Sequence, residues 1–147
     1  MQKEIKTEIT INAQSEQIWK ILNDFRKYPD WNPFIRYIKG DVEEGNKIRV
    51  KIEPPKSKGM TFTPIVLSKK ENKELRWLGS FLFKGLFDGE HCLALQDNSN
   101  GTTTFFQSEK FSGILVGLFN LAPTKAGFEA MNLKLKELAE KQSVIHN

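Results

Sequence analysis

From Lys47 to Phe111 the chain alternates apolar and polar residues with a period of two. Ile48, Val50 and Ile52 interleave with Lys47, Arg49, Lys51 and Glu53. The same phase then carries Met60, Phe62, Pro64 and Val66, followed by Leu75, Trp77, Gly79 and Phe81. It continues through Phe87, Gly89, His91, Leu93 and Leu95, and ends with Phe105, Gln107, Glu109 and Phe111. Successive strand residues point to opposite faces, so the pattern predicts half-buried antiparallel strands that share one aromatic-rich face. Polar, turn-rich stretches at residues 40–46, 54–59, 68–73 and 97–101 separate the segments, which is the rhythm of a hairpin meander. Pro64 requires a bulge or an edge position, because it offers no N–H to a neighbouring strand. The apolar connection from Gly79 to Gly89 contains three glycines and reads either as a hairpin corner packed on the core or as a mobile flap.

The ends of the chain add helices. Glu4 to Ile11 alternates, placing Ile5, Ile9 and Ile11 on one face of a first strand. Ile18, Ile21, Leu22 and Phe25 then recur at helical spacing, predicting a short amphipathic helix from about Ser15 to Asp24 with Ala13 or Ser15 as its cap. The segment FRKYPDWNPF, Phe25 to Phe34, reads as a tight packed turn or a second short helix. After Pro123, Phe128, Met131, Asn132, Leu135, Leu138, Ala139 and Gln142 form one stripe of a long helix from about Thr124 to Gln142. The sheet is the apolar surface on which that stripe can pack. One domain is expected over residues 1–142, with a flexible tail at 143–147 that includes His146. The order of elements is that of an α+β helix-grip fold: a curved antiparallel sheet of about seven strands, two short helices after the first, and a long C-terminal helix.

Composition narrows the function. The 147 residues carry a net charge of +4, with lysines scattered along the chain and not clustered, so a nucleic-acid partner is not expected. The longest apolar run, Ile114 to Ala122, is interrupted by Gly117 and Asn120 and is too short to span a bilayer; stable membrane insertion is not expected. The charged N-terminus shows no signal peptide, and the single Cys92 cannot form an internal bridge; a reducing, cytoplasmic location is expected.

Six segments carry a family resemblance. They are WNPF at Trp31–Phe34, the glycine pair Gly40 and Gly45, LRWLG at Leu75–Gly79, GLFDGEH at Gly85–His91, the run from Thr103 to Gly113, and GFEAMN at Gly127–Asn132. Together they resemble the START-like (SRPBCC, Bet v 1-like) superfamily, in its polyketide cyclase/dehydrase and lipid transport branch. The resemblance covers essentially the whole chain and implies a pocket between the curved sheet and the terminal helix. Members bind lipids, hormones, quinones or polyketides there.

Signatures of common enzymes are absent: the sequence has no P-loop, GxSxG elbow, GxGxxG, HExxH or CxxC. One Cys and one inward His cannot supply a zinc site, and no metal or cofactor is expected. Inward polar groups in phase with aromatics describe a ligand pocket better than a filled core. The candidate ligand-binding residues are Trp31, Phe34, Phe62, Trp77, Gly79, Phe81, Phe87, His91, Leu93, Gln107, Glu109, Phe128, Met131 and Asn132. His91 and Glu109 are expected to face each other across a hairpin. Such a pair can act as a general base with an orienting carboxylate, or as a satisfied anchor for one polar group of a ligand. The cavity is expected between the sheet and the Phe128–Met131–Leu135 stripe, with about 300–1,000 Å³.

The leading expectation is therefore a protein that binds or carries a small hydrophobic molecule, lipid-like or aromatic. A cyclase, dehydratase or isomerase acting in the same cavity is the alternative, and an interaction module like the superfamily's co-chaperone activators ranks third. Both monomer and homodimer remain open.

Overall fold

The alternation at the start of the chain becomes β1 (Gln2–Ile11), with Ile5 and Ile11 buried. The computed structural model describes residues 2–146, and side chains as far as residue 143. Helix α1 (Ser15–Asn23) buries Ile18, Trp19, Ile21 and Leu22. Its cap is Gln14 and not Ala13 or Ser15: the Gln14 N–H donates to Gln17 Oε1 at 3.4 Å. The Ser15 hydroxyl lies instead 3.1 Å from that of Thr103. The FRKYPDWNPF segment folds as a single 3-10 turn at Phe25–Lys27 and then the four-residue helix α2 (Tyr28–Trp31). Asn32 closes it, its Oδ1 accepting the N–H groups of Phe34 at 2.9 Å and Ile35 at 2.8 Å. Fully buried Tyr28 donates its hydroxyl to the Leu22 carbonyl at 2.6 Å, and burial pushes its pKa far up.

Seven further strands follow: β2 (Ile35–Lys39), β3 (Arg49–Ile52), β4 (Met60–Phe62), β5 (Ile65–Lys70), β6 (Glu74–Ser80), β7 (Asp88–Asp97) and β8 (Thr103–Ser112). The total of eight exceeds the expected seven because Pro64 breaks the segment read as one strand into β4 and β5. These pair with different neighbours. One sheet has the order β1-β8-β7-β6-β5 and the other β2-β3-β4, all antiparallel. Pro64 has no N–H to give, but its carbonyl accepts the Ile48 N–H at 2.9 Å, and a bridge between Lys47 and Ile65 joins the two sheets beside it.

Helix α3 (Ala122–His146) starts earlier than expected, with Pro123 inside its first turn, where a missing N–H costs nothing. Asn120 Oδ1 accepts the Ala122 N–H at 3.1 Å. The helix also continues through the segment expected to fray, as far as His146; Asn147 lies outside the described residues. Phe128, Met131, Leu135 and Ala139 are all 0 % exposed and Asn132 is buried beside them, whereas Leu138 is half-buried and Gln142, at the far end of the expected stripe, is exposed. Gly127 lets the helix come close: a Cβ there would lie 2.4 Å from the Phe34 ring.

Candidate functional site

Register builds the site row by row. On the concave face of the larger sheet, Leu75, Leu93, Gln107 and Thr7 stand side by side across four strands. The next row is Trp77, His91, Glu109 and Ile5, and the one beyond is Gly79, Gly89, Phe111 and Lys3. Trp77, His91, Leu93 and Gln107 are buried, whereas Arg76 on the opposite face meets Glu90 at 3.1 Å and Glu74 at 2.9 Å. The expected phase therefore holds on β6, β7 and β8. Cys92 shares that outer face, where burial pushes its thiol pKa up against the opposing pull of the Arg76 guanidinium, so it offers the concave face no nucleophile.

Two glycines are adjacent in one row: the space over Gly89 is taken by the Glu109 carboxylate, and the space over Gly79 stays open. There lies a cavity of about 170 Å³, walled by Phe62, Pro64, Phe81, Phe87, Phe111 and Leu121, with Trp77, His91 and Glu109 at its polar end. It is smaller than expected and displaced. Phe128 and Met131 do not line it, because their side chains are fully buried in the core beneath the helix; of α3 only Thr124 in the first turn reaches it, with Leu121 just before the helix.

The sequence candidates accordingly divide. Phe62, Trp77, Gly79, Phe81, Phe87, His91 and Glu109 line the cavity. Phe34, Leu93, Phe128 and Met131 are fully enclosed core, with Phe34 edge-on to Phe128 at 5.2 Å. Trp31 packs edge-on against Tyr28 at 5.3 Å, away from the cavity. Gln107 and Asn132 lie behind the wall, as partners of His91 and of each other. Lining residues outside the sequence candidates include Met60, Gly89, Phe111, Phe119, Asn120 and Thr124. Met60 was in the inward phase, but nothing periodic marks the loop from which Phe119 and Asn120 come.

The connection between β6 and β7, residues 81–87, is tied down and is not a free flap. Gly85 N–H is held by the Asp88 carboxylate at 3.0 Å, and the Gly85 and Leu86 carbonyls accept from Ile114 and Leu115 at 3.2 and 3.1 Å. Leu82 and Phe83 on this loop are exposed, as are Ile114, Leu118 and Phe119 on the segment bonded to it or just beyond.

At the polar end the His91 imidazole lies flat on the Trp77 ring, with centroids 5.0 Å apart and planes within 6°. Phe128 meets it edge-on from a second side at 5.0 Å. His91 Nδ1 is 3.0 Å from Glu109 Oε1, and Nε2 is 3.0 Å from Gln107 Oε1. Gln107 Nε2 donates to Asn132 Oδ1 at 2.8 Å, Asn132 Nδ2 to Thr7 Oγ1 at 2.9 Å, and the Thr7 hydroxyl to the Gln107 carbonyl at 2.7 Å. A buried polar network satisfied along its length is rigid, so the imidazole has one position. Among the described residues no group of three or more His, Cys, Asp and Glu gathers where a metal ion could sit, and no helix is long and apolar enough to cross a membrane.

Gly89 leaves room for this arrangement. A Cβ at that position would lie 2.1 Å from Glu109 Oε2. Its φ is not positive, so the backbone itself accepts alanine. Gly89→Ala is expected to keep the fold, push the carboxylate off His91 and cost about 1–3 kcal/mol, the value of a charge-assisted hydrogen bond. Urea unfolding, read together with the His91 ring NMR shifts, checks this; unchanged ring shifts would mean that the carboxylate had room to move without letting go.

The chain belongs to the family described as polyketide cyclase/dehydrase and lipid transport, whose model matches residues 2–141. Its fold is that of the START/Bet v 1-like superfamily. A START superfamily protein from Mycobacterium smegmatis superposes with a TM-score of 0.72 at 18% identity, over 95% of this chain and 98% of that one. A protein from Chromobacterium violaceum gives a TM-score of 0.70 at 18% identity, over 93% of this chain and 96% of that one. The di-domain ARO/CYC StfQ of the steffimycin biosynthetic pathway gives 0.73 at 9% identity, over 97% of this chain but 52% of that protein. No curated protein sequence matches the chain.

Proposed function

We propose that this protein binds a small hydrophobic molecule in the cavity between β4, the start of β7, the end of β8 and the first turn of α3. The observation that carries this reading is an apolar, aromatic-walled cavity closed at one end by a single carboxylate that His91 holds in place. Water gains few partners in such a space, whereas a ring gains dispersion contact on every side. The volume of about 170 Å³ is close to the roughly 150 Å³ known to admit one benzene ring, so a single ring fits and anything longer projects past exposed Met60 and Phe119. The family supports the same reading, since its description includes lipid transport. Trp77, Phe62, Phe81 and Phe87 would supply contact area, and Glu109 the polar anchor.

A panel of single-ring compounds, including toluene and phenol, should raise the melting temperature of the wild type by mass action. Gly79→Trp should abolish that rise. A Cβ at Gly79 meets only ordinary contacts, Pro64 at 3.5 Å and Phe62 at 4.0 Å, so the larger ring can enter the cavity without disturbing the strand. No rise with any compound, or an equal rise in Gly79→Trp, would reject the cavity as the binding site.

A further inference from the structure

The hydrogen-bond chain behind the cavity has a direction, fixed from its far end. The Thr7 hydroxyl meets a backbone carbonyl, which only accepts, so its one proton is committed there. Its lone pair must then receive Asn132 Nδ2, which turns Asn132 Oδ1 toward Gln107. Gln107 Nε2 donates to that oxygen and to the Phe128 carbonyl at 3.4 Å, leaving Gln107 Oε1 to face His91. An amide oxygen only accepts, so His91 Nε2 carries hydrogen. On the other side of the ring, Nδ1 and Glu109 Oε1 are 3.0 Å apart. Two bare lone pairs do not face each other at that distance, so one proton lies between them.

Glu109 Oε2 is the consequence. It lies over Gly89 on the cavity wall and takes no hydrogen bond from the described residues. With the shared proton on nitrogen, Oε2 belongs to a carboxylate; with the proton on Oε1, it is the carbonyl oxygen of the acid. It accepts in both cases and donates in neither. The stacked Trp77 face suits the first placement, because the ring quadrupole attracts an imidazolium. Ser80, Asn120 and Thr124 also touch the cavity; Ser80 and Asn120 are exposed at its mouth, where water competes for them, and the half-buried Thr124 hydroxyl can donate or accept and so sets no sign.

We infer that the cavity selects its ligand by hydrogen-bond polarity: it takes a ring-sized molecule bearing a hydroxyl or amino donor, and discriminates against ketones, ethers and plain hydrocarbons of the same size. This rests on the cavity being the ligand site. Thr7, Asn132 and Gln107 act as positioning residues that set the sign of the preference from behind the wall.

Isothermal titration of the full chain with phenol, anisole, acetophenone and toluene tests it. Phenol should bind about ten- to a hundredfold more tightly than the other three, the range of a hydrogen bond to a charged acceptor. Glu109→Leu should erase that preference while still binding toluene. Glu109→Gln, which can donate its amide to Nδ1 and keep its oxygen on the cavity side, should retain part of it and guards against a folding defect in the leucine variant. Nitrogen-detected NMR of the ligand-free protein should show His91 protonated at Nε2. A bare Nε2, acetophenone or anisole binding as well as phenol, or a phenol preference that survives in Glu109→Leu would each overturn the inference. If toluene and phenol bind equally, the inference falls and the binding site stands; if nothing binds, both fall.

Discussion

Phe128→Ala is expected to destabilise the fold by about 3–5 kcal/mol, the usual cost of emptying a fully buried aromatic position. Phe128 is 0 % exposed and touches the two features that hold the helix to the sheet. One is the Phe34 ring, 5.2 Å away; the other is His91, 5.0 Å away and edge-on. Neither can follow a receding side chain. Phe34 is pinned between Asn32, which holds its N–H, and the close pass of Gly127, while His91 is held by hydrogen bonds at both nitrogens. The site therefore collapses little, which puts the cost toward the upper end. At this chain length each kcal/mol is worth roughly 2–4 °C, so the midpoint should fall by about 6–20 °C. Phe128→Leu keeps much of the volume and should cost under about 2 kcal/mol. Thermal and urea melts followed by circular dichroism measure both; a loss below 1 kcal/mol for the alanine variant would show that the helix does not rely on this contact.

The periods of the chain carried the elements and the phase of the sheet, because a buried face forces alternation that a one-residue slip would invert. That is why Trp77, His91 and Gln107 read as inward from the sequence alone. The location of the cavity was not legible in the same way. A stripe such as Phe128, Met131 and Leu135 shows that a face is buried and is silent on whether side chains or a void meet it. The deciding fact is a coincidence across strands: Gly79 and Gly89 fall opposite each other, which depends on the register of β6 against β7. Pro64 could be read as an edge or bulge signal, but the break into two strands with different partners depends on how the chain bends around it. Trp31 failed as a site residue for a related reason. Its turn chemistry was evident, yet aromatics in a turn pack on whichever neighbour is nearest, here Tyr28. The His91–Glu109 pair was expected because both lie inward on neighbouring strands. The Gln107–Asn132–Thr7 continuation reaches across three elements far apart in sequence and left no local signal.

Gln107→Leu tests that continuation directly and is the most damaging polar change expected on the sheet. Gln107 is 0 % exposed, and leucine would leave His91 Nε2–H and Asn132 Oδ1 without partners in a space water does not reach. Each orphan costs about 1–3 kcal/mol, so the sum is about 2–6 kcal/mol, reduced somewhat by the added apolar contact of leucine. Asn132→Leu alone should cost less, about 1–2 kcal/mol, because Gln107 Nε2 keeps the Phe128 carbonyl and Thr7 keeps its own acceptor. The double variant is the informative one. With leucine at both positions the orphaned Asn132 oxygen is gone, so its cost should fall short of the sum of the singles by about 1–3 kcal/mol. Strict additivity in urea unfolding would mean that the two amides are independent, and a chain of fixed direction would then have no physical basis. Coupling of the expected sign would show that the side chains behind the wall act as one unit, holding His91 and, through it, the oxygen of Glu109 that faces the cavity.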